Sequence, residues 1–429
     1  MRTSLKKLYS FFQEYSVVAT DSRQIVPGCI FFALKGDNFD GNNFVQSALE
    51  TGAAYAVTDN PTYKGKRTLL VKNVLQSLQQ LAQMHRQQFD IPVVAITGSN
   101  GKTTTKELTN AVLSQKYKVT ATKGNLNNHI GVPLTILSIT RETDIAIIEM
   151  GANHQGEIAA LCEIAEPTHG LITNIGRAHL GGFGGYEGVI KAKNELYDWL
   201  RKWDSVAYVN YDNPLLMKLS DGMVTTLYGS NENVFAYGKL NGNTANLELE
   251  WVSGKGSVKI KTNLIGAYNF ENVMAAICIG SYFGVAAEKI KLAIDSYLPS
   301  NSRSQSLKTE KNSIVLDAYN ANPTSMKVAI ENFKKLPHNP KLLILGDMLE
   351  LGDESLNEHA EIVALIENLG FEKAVLVGPD FSTATGQKFL CFTTSDEATK
   401  WLSDQNIEGF LILVKGSRGI KMEKVLEAL

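Results

Sequence analysis

A glycine-bracketed loop follows the apolar run at residues 93–97 and ends in a Lys-Thr pair. Tight turns at glycine let successive backbone N–H groups converge on a phosphate at the start of a helix, where the helix dipole also favours negative charge. Lys102 would then neutralise the terminal phosphates of a nucleotide, and the Thr103 hydroxyl would bind Mg²⁺. The predicted nucleotide-holding residues of this loop are Gly98, Ser99, Asn100, Gly101, Lys102, Thr103 and Thr104.

The spacing of this loop departs from the strict nucleotide-binding pattern. Ile96 occupies the position of the first glycine and Gly98 comes two residues later, so the pattern is the shorter GxxGKT. An ordinary Gly/Ser turn before a helix is the structural alternative. The strand, loop and helix context, together with the Lys-Thr pair, favours phosphate binding.

Two further residues have the chemistry of metal ligands. Glu149 ends the apolar run 145–148, where a parallel strand delivers a carboxylate to the ligand-binding edge of its sheet. It is therefore the expected partner for Mg²⁺ on Thr103. His179 lies in a loop just before a glycine-rich stretch, and a hydrogen-bonded loop histidine is the plainer interpretation of that residue alone.

The helix predicted over residues 187–200 carries a lysine on its apolar side. Helical spacing places Lys193 on the apolar stripe and turns Lys191 away from it. Snorkelling to the surface would explain such a lysine simply. The alternative is functional, because burial lowers a lysine pKa and the neutral amine can then react with a carbonyl group or with CO₂. The resulting carbamate would be an anionic oxygen ligand for a second Mg²⁺ near His179.

These residues need a large framework to position them. The chain has 429 residues, more than one hydrophobic core usually supports, so two or three domains are expected. A net charge of −2 gives no general attraction to nucleic acid or anionic membranes. Four dispersed cysteines fit a reducing cytosol, and the first twelve residues are expected to form an amphipathic helix. We expect a cytoplasmic monomer without membrane insertion or nucleic-acid partner.

The pattern of apolar runs predicts an α/β protein of three domains, at residues 1–88, 89–299 and 300–429. Short strands and a helix near 44–51 indicate a small α/β first domain, and buried strands alternating with helices indicate a parallel, ATPase-like central sheet. Alternation at 235–262 predicts an antiparallel hairpin there. A Ser/Asn-rich stretch at 299–306 reads as a linker. The βα pattern beyond it predicts a second doubly wound, Rossmann-like sheet.

Loop residues of the first domain are candidates for binding an anionic or sugar-like group. They are Ser22, Arg23, Lys35 and Gly36. A solvated loop surface is an equally good interpretation of these residues alone.

Eight segments, in order along the second and third predicted domains, resemble the Mur ligases, the ATP-dependent amide-forming enzymes of peptidoglycan-precursor synthesis. The segments are GSNGKTT at 98–104, EMGANH at 149–154, AHL at 178–180, NFEN at 269–272, NSRSQ at 301–305, DAYNANP at 317–323, LGDMLELG at 345–352 and KGSR at 415–418. The segments at 317–323 and 345–352 resemble the family member that adds D-alanyl-D-alanine to UDP-N-acetylmuramoyl-tripeptide. A chance phosphate loop would not bring the other segments with it.

The resemblance implies roles for individual residues. Lys102 and Thr103 would hold ATP phosphates and the first Mg²⁺ with Glu149, and His179 and carbamylated Lys193 would serve the second Mg²⁺. Arg303 would reach the γ-phosphate from the hinge. The resemblance assigns ATP contacts further to Asn269, Asn272, Asp317, Tyr319 and Asn320, UDP contacts to Ser22, Arg23, Lys35 and Gly36, and muropeptide contacts to Asn127 and Asn128.

Other assignments compete with this interpretation of the sequence. Tyr268 departs from the family pattern, in which a histidine often precedes the asparagine, so no role is assigned to it. A ligase adding the third amino acid is disfavoured because its Asp-Asn-Pro-Arg tetrapeptide is missing, and a folylpolyglutamate-type ligase because of the Asp-Ser-Arg run at 21–23. A regulator that has lost catalysis is disfavoured because the predicted catalytic and metal-binding residues are all present: Lys102, Thr103, Glu149, His179, Lys193 and Arg303.

Overall fold

The computed structural model describes residues 2–63, 65–242, 246–254, 256–299, 303–386 and 388–429. It confirms a three-domain α/β architecture in which each domain is built on a mainly parallel sheet. Among the described residues, no helix combines the length and the apolar character that a membrane span needs.

The first domain has a four-stranded parallel sheet in the order β1-β2-β5-β6 and a small antiparallel pair, β3 and β4. The predicted amphipathic first helix and the helix near 44–51 are confirmed as α1 and α2. The elements are α1 Leu5–Tyr15, β1 Val18–Ala19, β2 Ile30–Phe32, β3 Lys35–Gly36, β4 Phe39–Asp40, α2 Val45–Thr51, β5 Tyr55–Thr58, β6 Thr68–Leu70 and α3 Val74–Arg86.

Helix α3 joins the first domain to the next one. The Asn73 side chain caps its start by accepting from the Gln76 N–H at 2.8 Å. Its apolar face is buried in a core that is continuous from the first sheet to one face of the central sheet. At its other end, buried Arg86 donates to the carbonyl of Ala165 at 2.9 Å. The first and central domains therefore share one hydrophobic core.

The central domain carries a nine-stranded sheet in the order β15-β14-β13-β12-β11-β10-β7-β9-β8. Its strands all run in the same direction except β14, which is antiparallel to β13 on one side and to β15 on the other; β14 and β15 confirm the predicted hairpin. The elements are β7 Val93–Thr97, α4 Lys102–Leu113, β8 Val119–Ala121, α5 Gly131–Leu137, β9 Ile145–Glu149, α6 Glu157–Ala165, β10 His169–Ile172, α7 Leu180–Phe183, α8 Tyr186–Lys202, β11 Val206–Asn210, α9 Pro214–Leu219, β12 Thr225–Gly229, β13 Ala236–Leu240, β14 Asn246–Ser253, β15 Gly256–Ile265, α10 Phe270–Tyr282 and α11 Ala287–Ser296.

The C-terminal domain has six strands in the order β16-β17-β21-β18-β19-β20, and all are parallel except the edge strand β16. Hydrophobic clusters cover both faces of this sheet. The elements are β16 Gln305–Lys308, β17 Ser313–Asp317, α12 Pro323–Lys335, β18 Lys341–Gly346, α13 Ser355–Asn368, β19 Ala374–Val377, α14 Pro379–Ala384, β20 Leu390–Phe392, α15 Ser395–Ser403 and β21 Leu411–Lys415.

The C-terminal domain ends in a 3₁₀ helix at Met422–Ala428. The expected extent of the linker before this domain is wrong. The predicted linker is shorter than 299–306, since its end pairs with β17 as β16; residues 300–302 of that stretch lie outside the described residues.

Candidate active site

The phosphate loop runs from the end of β7 to the start of α4. Gly98 and Gly101 have φ of +138° and +79°, so both use backbone conformations that favour glycine. A Cβ on Gly98 would lie 2.0 Å from Thr173 Oγ1, and one on Gly101 would lie 2.4 Å from Asn272 Oδ1. Asn174 anchors the loop by accepting from the Asn100 N–H at 3.0 Å. The loop is therefore rigid and leaves the N–H groups of the first turn of α4 available to an anion.

Lys102 folds back over this loop. Its ammonium donates to the carbonyls of Gly98 at 2.8 Å and Ser99 at 3.1 Å. Burial lowers the pKa of Lys102 to about 8, with Arg303 adding to the shift and Glu149 opposing it. A phosphate beside Lys102 would favour the charged ammonium, as the predicted role requires.

Glu149 is the best candidate for a metal ligand. Its side chain is 1% exposed, and Oε1 accepts from Thr103 Oγ1 at 3.1 Å and from Asn127 Nδ2 at 2.7 Å. Oε2 is buried and has no hydrogen-bond partner among the described residues. A buried carboxylate oxygen without a partner is costly, and a hard cation shared with the threonine hydroxyl would satisfy it. The donor set therefore fits Mg²⁺.

Lys193 lies on the buried face of α8, as the helical spacing predicts, while Lys191 is exposed. Its residue surface is only 2% exposed, so snorkelling does not account for it. The ammonium lies 5.1 Å from the centre of the Phe183 ring and forms no ion pair with the described residues. Burial, with nearby Lys102 adding to it, lowers the pKa of Lys193 to about 7. A substantial fraction of this lysine is thus a neutral, nucleophilic amine near neutral pH.

His179 lies at the boundary between the central and C-terminal domains. Its backbone is left-handed with φ of 53°, and Nδ1 forms a short hydrogen bond with Glu350. This hydrogen bond holds the pKa of Glu350 below its usual range. The ring centre lies 6.4 Å from that of Phe183, which also contacts Lys193. His179 therefore has a protein partner at Nδ1, and its role as a ligand of the second metal remains a prediction.

The two predicted adenine-side asparagines are buried behind the phosphate loop. Asn272 accepts from Thr105 Oγ1 at 3.0 Å and donates to Asn269 Oδ1 at 2.9 Å. Asn269 in turn donates to the carbonyl of Ile265 at 2.9 Å. The pair therefore fixes the start of α10 against α4, and both residues still line the cavity described below.

Residues of the C-terminal domain face the loop from across the hinge. The Arg303 guanidinium stacks on the Tyr319 ring at 3.7 Å, and its buried Nε has no hydrogen-bond partner in the part of the chain that the structure describes. The Asp317 carboxylate is paired with buried Lys415 at 2.5 Å and accepts from the Ser304 N–H at 3.1 Å. Asp317 therefore holds Lys415 and the end of the hinge in this structure, and a nucleotide contact from it stays a prediction.

One cavity of about 910 Å³ brings most of the predicted residues together between the central and C-terminal domains. The predicted residues that line it are Ser99, Asn100, Gly101, Lys102, Thr103, Thr104, Asn127, Asn128, Glu149, His179, Asn269, Asn272, Arg303, Asp317, Tyr319 and Asn320. Gly98 and Lys193 lie beside it without being part of its lining. Asn128 also accepts from the Gly131 N–H at 2.9 Å, which secures the first turn of α5.

The four predicted residues of the first domain do not line this cavity. Arg23 pairs with Asp21 at 2.7 Å, and its side chain is 87% exposed. Lys35 pairs with Asp59 at 3.1 Å. Ser22 and Gly36 are neighbours of these ion pairs, so a role for this group in binding the uridine diphosphate also stays a prediction.

Sequence reasoning missed the contacts that hold the two domains together. Arg177 pairs with Glu358 at 2.6 Å, and Asn322 donates to the Asn100 side chain of the phosphate loop at 2.7 Å. Glu350 lies in the segment at 345–352 that carries the family resemblance, which is a signal that was available. Arg177 and Glu358 lie outside the segments of the resemblance, and nothing in their local sequence indicates that they meet.

Asp347, His359 and Asp380 form a second cluster of possible metal ligands. The Asp347 carboxylate accepts from the N–H groups of Asp380 at 3.0 Å and Phe381 at 2.9 Å, so it caps the start of α14. His359 Nε2 accepts from the Met348 N–H at 3.0 Å. These atoms already have partners, so the cluster stabilises the loop after β18 without needing a cation.

The fold and the cavity define a three-domain ligase that uses a nucleotide. Family models match in the same order as the domains: the catalytic domain of the Mur ligase family at residues 14–86, the Mur ligase middle domain at 96–280 and the Mur ligase glutamate ligase domain at 302–418. The chain belongs to the Mur ligase family.

Its relatives narrow the assignment within that family. The UDP-N-acetylmuramoyl-tripeptide–D-alanyl-D-alanine ligase of Bacillus subtilis strain 168 is 36% identical over 426 residues, covering 96% of this chain and 92% of the relative. A crystal structure of MurF from Acinetobacter baumannii superimposes with a TM-score of 0.86 at 31% identity, covering 96% of this chain and 92% of that one. MurF of Thermotoga maritima in complex with ADP gives 0.85 at 28% identity, covering 96% of both. The expected kinship with the D-alanyl-D-alanine-adding ligases is confirmed.

Proposed function

We propose that this protein uses ATP to join D-alanyl-D-alanine to UDP-N-acetylmuramoyl-tripeptide, releasing ADP and phosphate. The observation that carries the proposal is the single cavity in which the phosphate loop faces Arg303 and Tyr319 of the C-terminal domain. Similarity to relatives bearing this activity in their names, over nearly the whole chain, supports the choice of substrates.

The chemistry requires activation of a carboxylate. A carboxylate and an amine do not condense in water at neutral pH, so the tripeptide carboxylate first attacks the γ-phosphorus of ATP. Lys102 and Arg303 stabilise the negative charge that spreads over the transferring phosphoryl group. The free amine of the dipeptide then attacks the acyl phosphate, the C–N bond forms and phosphate leaves. Closure of the C-terminal domain over the cavity keeps water from the acyl phosphate.

The donor set at the phosphate loop supports two Mg²⁺ sites. Thr103 and Glu149 would hold the first ion, for which the unpartnered Oε2 of Glu149 is the supporting observation. We assign the second ion to His179 and a carbamate on Lys193, because a buried amine with a pKa of about 7 is suited to take up CO₂. Bound there, the ions would neutralise phosphate charge and polarise the phosphoryl group.

The domains divide the work in this proposal. Residues 1–88 bind the uridine diphosphate through Ser22, Arg23, Lys35 and Gly36, and residues 89–299 bind ATP and, through Asn127 and Asn128, the muropeptide. Residues 300–429 bind the dipeptide and close on ATP. We place this activity in the cytosol, where four free thiols such as these stay reduced, and in a monomer.

One assay tests the proposed function directly. ADP release is measured with UDP-N-acetylmuramoyl-tripeptide and ATP, with D-alanyl-D-alanine present or omitted. We expect release that depends on both substrates and a product that gains the dipeptide mass. Release with a single amino acid but not with the dipeptide would contradict the proposal in favour of a ligase adding another residue.

A further inference from the structure

The dipeptide that the proposed reaction consumes carries a carboxylate at its far end, and a specific site needs a cation to receive it. Within the described ranges, the lysines and arginines that line the cavity are Lys102, Arg303, Lys415 and Arg418. Three of these cations already have contacts with other groups of the protein. Lys102 is bound to loop carbonyls beside the phosphate site, Lys415 is paired with Asp317, and Arg303 stacks on Tyr319 at the hinge.

Arg418 is the cation that remains. It is exposed to the cavity, and its guanidinium forms neither a hydrogen bond nor an ion pair with any residue in the described part of the chain. The guanidinium carbon lies 5.6 Å from the centre of the Tyr319 ring. A planar guanidinium offers two parallel N–H groups, which match the two oxygens of a carboxylate.

The backbone beside Arg418 is held in place. Ser417, which is 2% exposed, donates its N–H to the carbonyl of Asp347 at 3.1 Å and its hydroxyl to that of Ala321 at 3.2 Å. The same hydroxyl accepts from the Leu349 N–H at 2.9 Å. Three loops at the carboxyl ends of β17, β18 and β21 are thereby fastened together under Arg418, which is where ligands bind on a doubly wound sheet.

Arg303 and Arg418 are close enough together for one dipeptide to reach from one to the other. The guanidinium carbons of Arg303 and Arg418 lie 3.7 and 5.6 Å from the centre of the same Tyr319 ring, so they are no more than about 9 Å apart. An extended dipeptide spans roughly 7 Å from its amine to its carboxylate. A dipeptide whose amine attacks an acyl phosphate held at Arg303 can therefore place its carboxylate at Arg418.

We infer that Arg418 binds the C-terminal carboxylate of the incoming dipeptide and so selects that substrate. The inference rests on the proposed function, because it takes D-alanyl-D-alanine as the second substrate. It identifies Arg418 as the residue that recognises the carboxylate of that substrate. The segment at 415–418 otherwise has no ligand-binding role here beyond its family resemblance.

The test compares two amines on four enzymes. D-alanyl-D-alanine and its C-terminal amide, which lacks the charge, are given to the wild type, Arg418→Gln, Arg418→Lys and the control Lys421→Gln, an exposed cation on the same segment that does not line the cavity. We expect the wild type and Lys421→Gln to prefer the dipeptide over the amide by about 10- to 150-fold in kcat/KM, the range of a charge-assisted hydrogen bond.

Arg418→Gln should lose that preference through a higher KM for the dipeptide, with KM for ATP within about 2-fold of the wild type. Arg418→Lys should recover part of it, since it keeps the charge without the fork. A wild type that uses amide and dipeptide equally well would overturn the inference, and so would an Arg418→Gln enzyme that keeps the preference or loses ATP affinity instead. A wild type that uses neither amine would refute the proposed function itself.

Discussion

The ion pair between Arg177 and Glu358 links the central and C-terminal domains asymmetrically. The Glu358 side chain is 4% exposed, whereas that of Arg177 is half-exposed. Burial raises the pKa of Glu358 above its ordinary value, and Arg177 opposes the shift. Removing the cation by Arg177→Ala therefore leaves a buried charge without its partner, while removing the charge by Glu358→Gln leaves an arginine that water can solvate.

The structure sets limits on the size of this effect. An unpaired buried carboxylate costs about 1–3 kcal/mol. It can also escape by taking up a proton, which for an ordinary pKa of 4.5 limits the cost to about 3 kcal/mol at pH 7 and about 1.4 kcal/mol at pH 5.5. Because the contact exists only when the domains are together, Arg177→Ala should lower the ratio of closed to open molecules about 5- to 150-fold near pH 7.

Small-angle X-ray scattering of the nucleotide-free protein measures this ratio through the radius of gyration. We expect Arg177→Ala to be more expanded than the wild type at about pH 7.5 and the difference to shrink at about pH 5.5, as Glu358 protonates. Glu358→Gln should stay close to the wild type, and so should Arg201→Ala, which breaks a surface pair within the central domain. Equal expansion of Arg177→Ala and Arg201→Ala, or a difference that grows as the pH falls, would refute this reasoning.

Three further predictions concern the cavity. Glu149→Gln should lower turnover more than about 100-fold and raise the Mg²⁺ concentration needed for half-maximal rate, because it removes the carboxylate oxygen that has no partner. An unchanged Mg²⁺ dependence would contradict the assigned metal role. Lys193→Ala should abolish turnover, and a short carboxylic acid or high bicarbonate should partly restore it. With ¹³C-bicarbonate, a carbamate NMR signal should be seen only in the wild type. Normal turnover in the variant would show that this lysine has a structural role. Wild-type activity should also fall as the pH drops below about 7, since protonated Lys193 cannot take up CO₂. Asp317→Asn should destabilise the C-terminal domain by about 2–4 kcal/mol in calorimetry, because it leaves buried Lys415 without its counterion, and an unshifted transition would show that the pair contributes little.

The parts of the site that follow from local pattern were predictable from the sequence. Gly98 and Gly101 were expected at positions that need glycine, and both have positive φ. Glu149 ends a buried strand beside β7, so the order of a parallel sheet alone brings it to Thr103. Lys193 was placed on the buried face by the 3.6-residue period of its helix.

The parts that depend on contacts between segments distant in the sequence were not predictable in this way. Arg177 and Glu358 are 181 positions apart in the sequence, and each is an ordinary charged residue in its own surroundings. Strand β16 was assigned to the linker because its stability comes from pairing with β17 rather than from its own polar sequence. The ion pair between Asp317 and Lys415 was not predicted, because it depends on the register in which β17 pairs with β21.

The hydrophobic core shared through α3 shows how the molecule is divided. One cluster joins Leu8 and Phe12 of the first helix to strands of the central sheet, whereas, among the residues that the structure describes, the cores of the C-terminal domain take only Ile265 from outside that domain. Judged by which residues share a buried core, the chain therefore consists of two modules rather than three: the first and central domains together, and the C-terminal domain by itself. Exchange of C-terminal domains between related ligases should therefore succeed at a junction in the polar stretch before β16. A junction between α3 and β7 would instead expose apolar surface on both pieces.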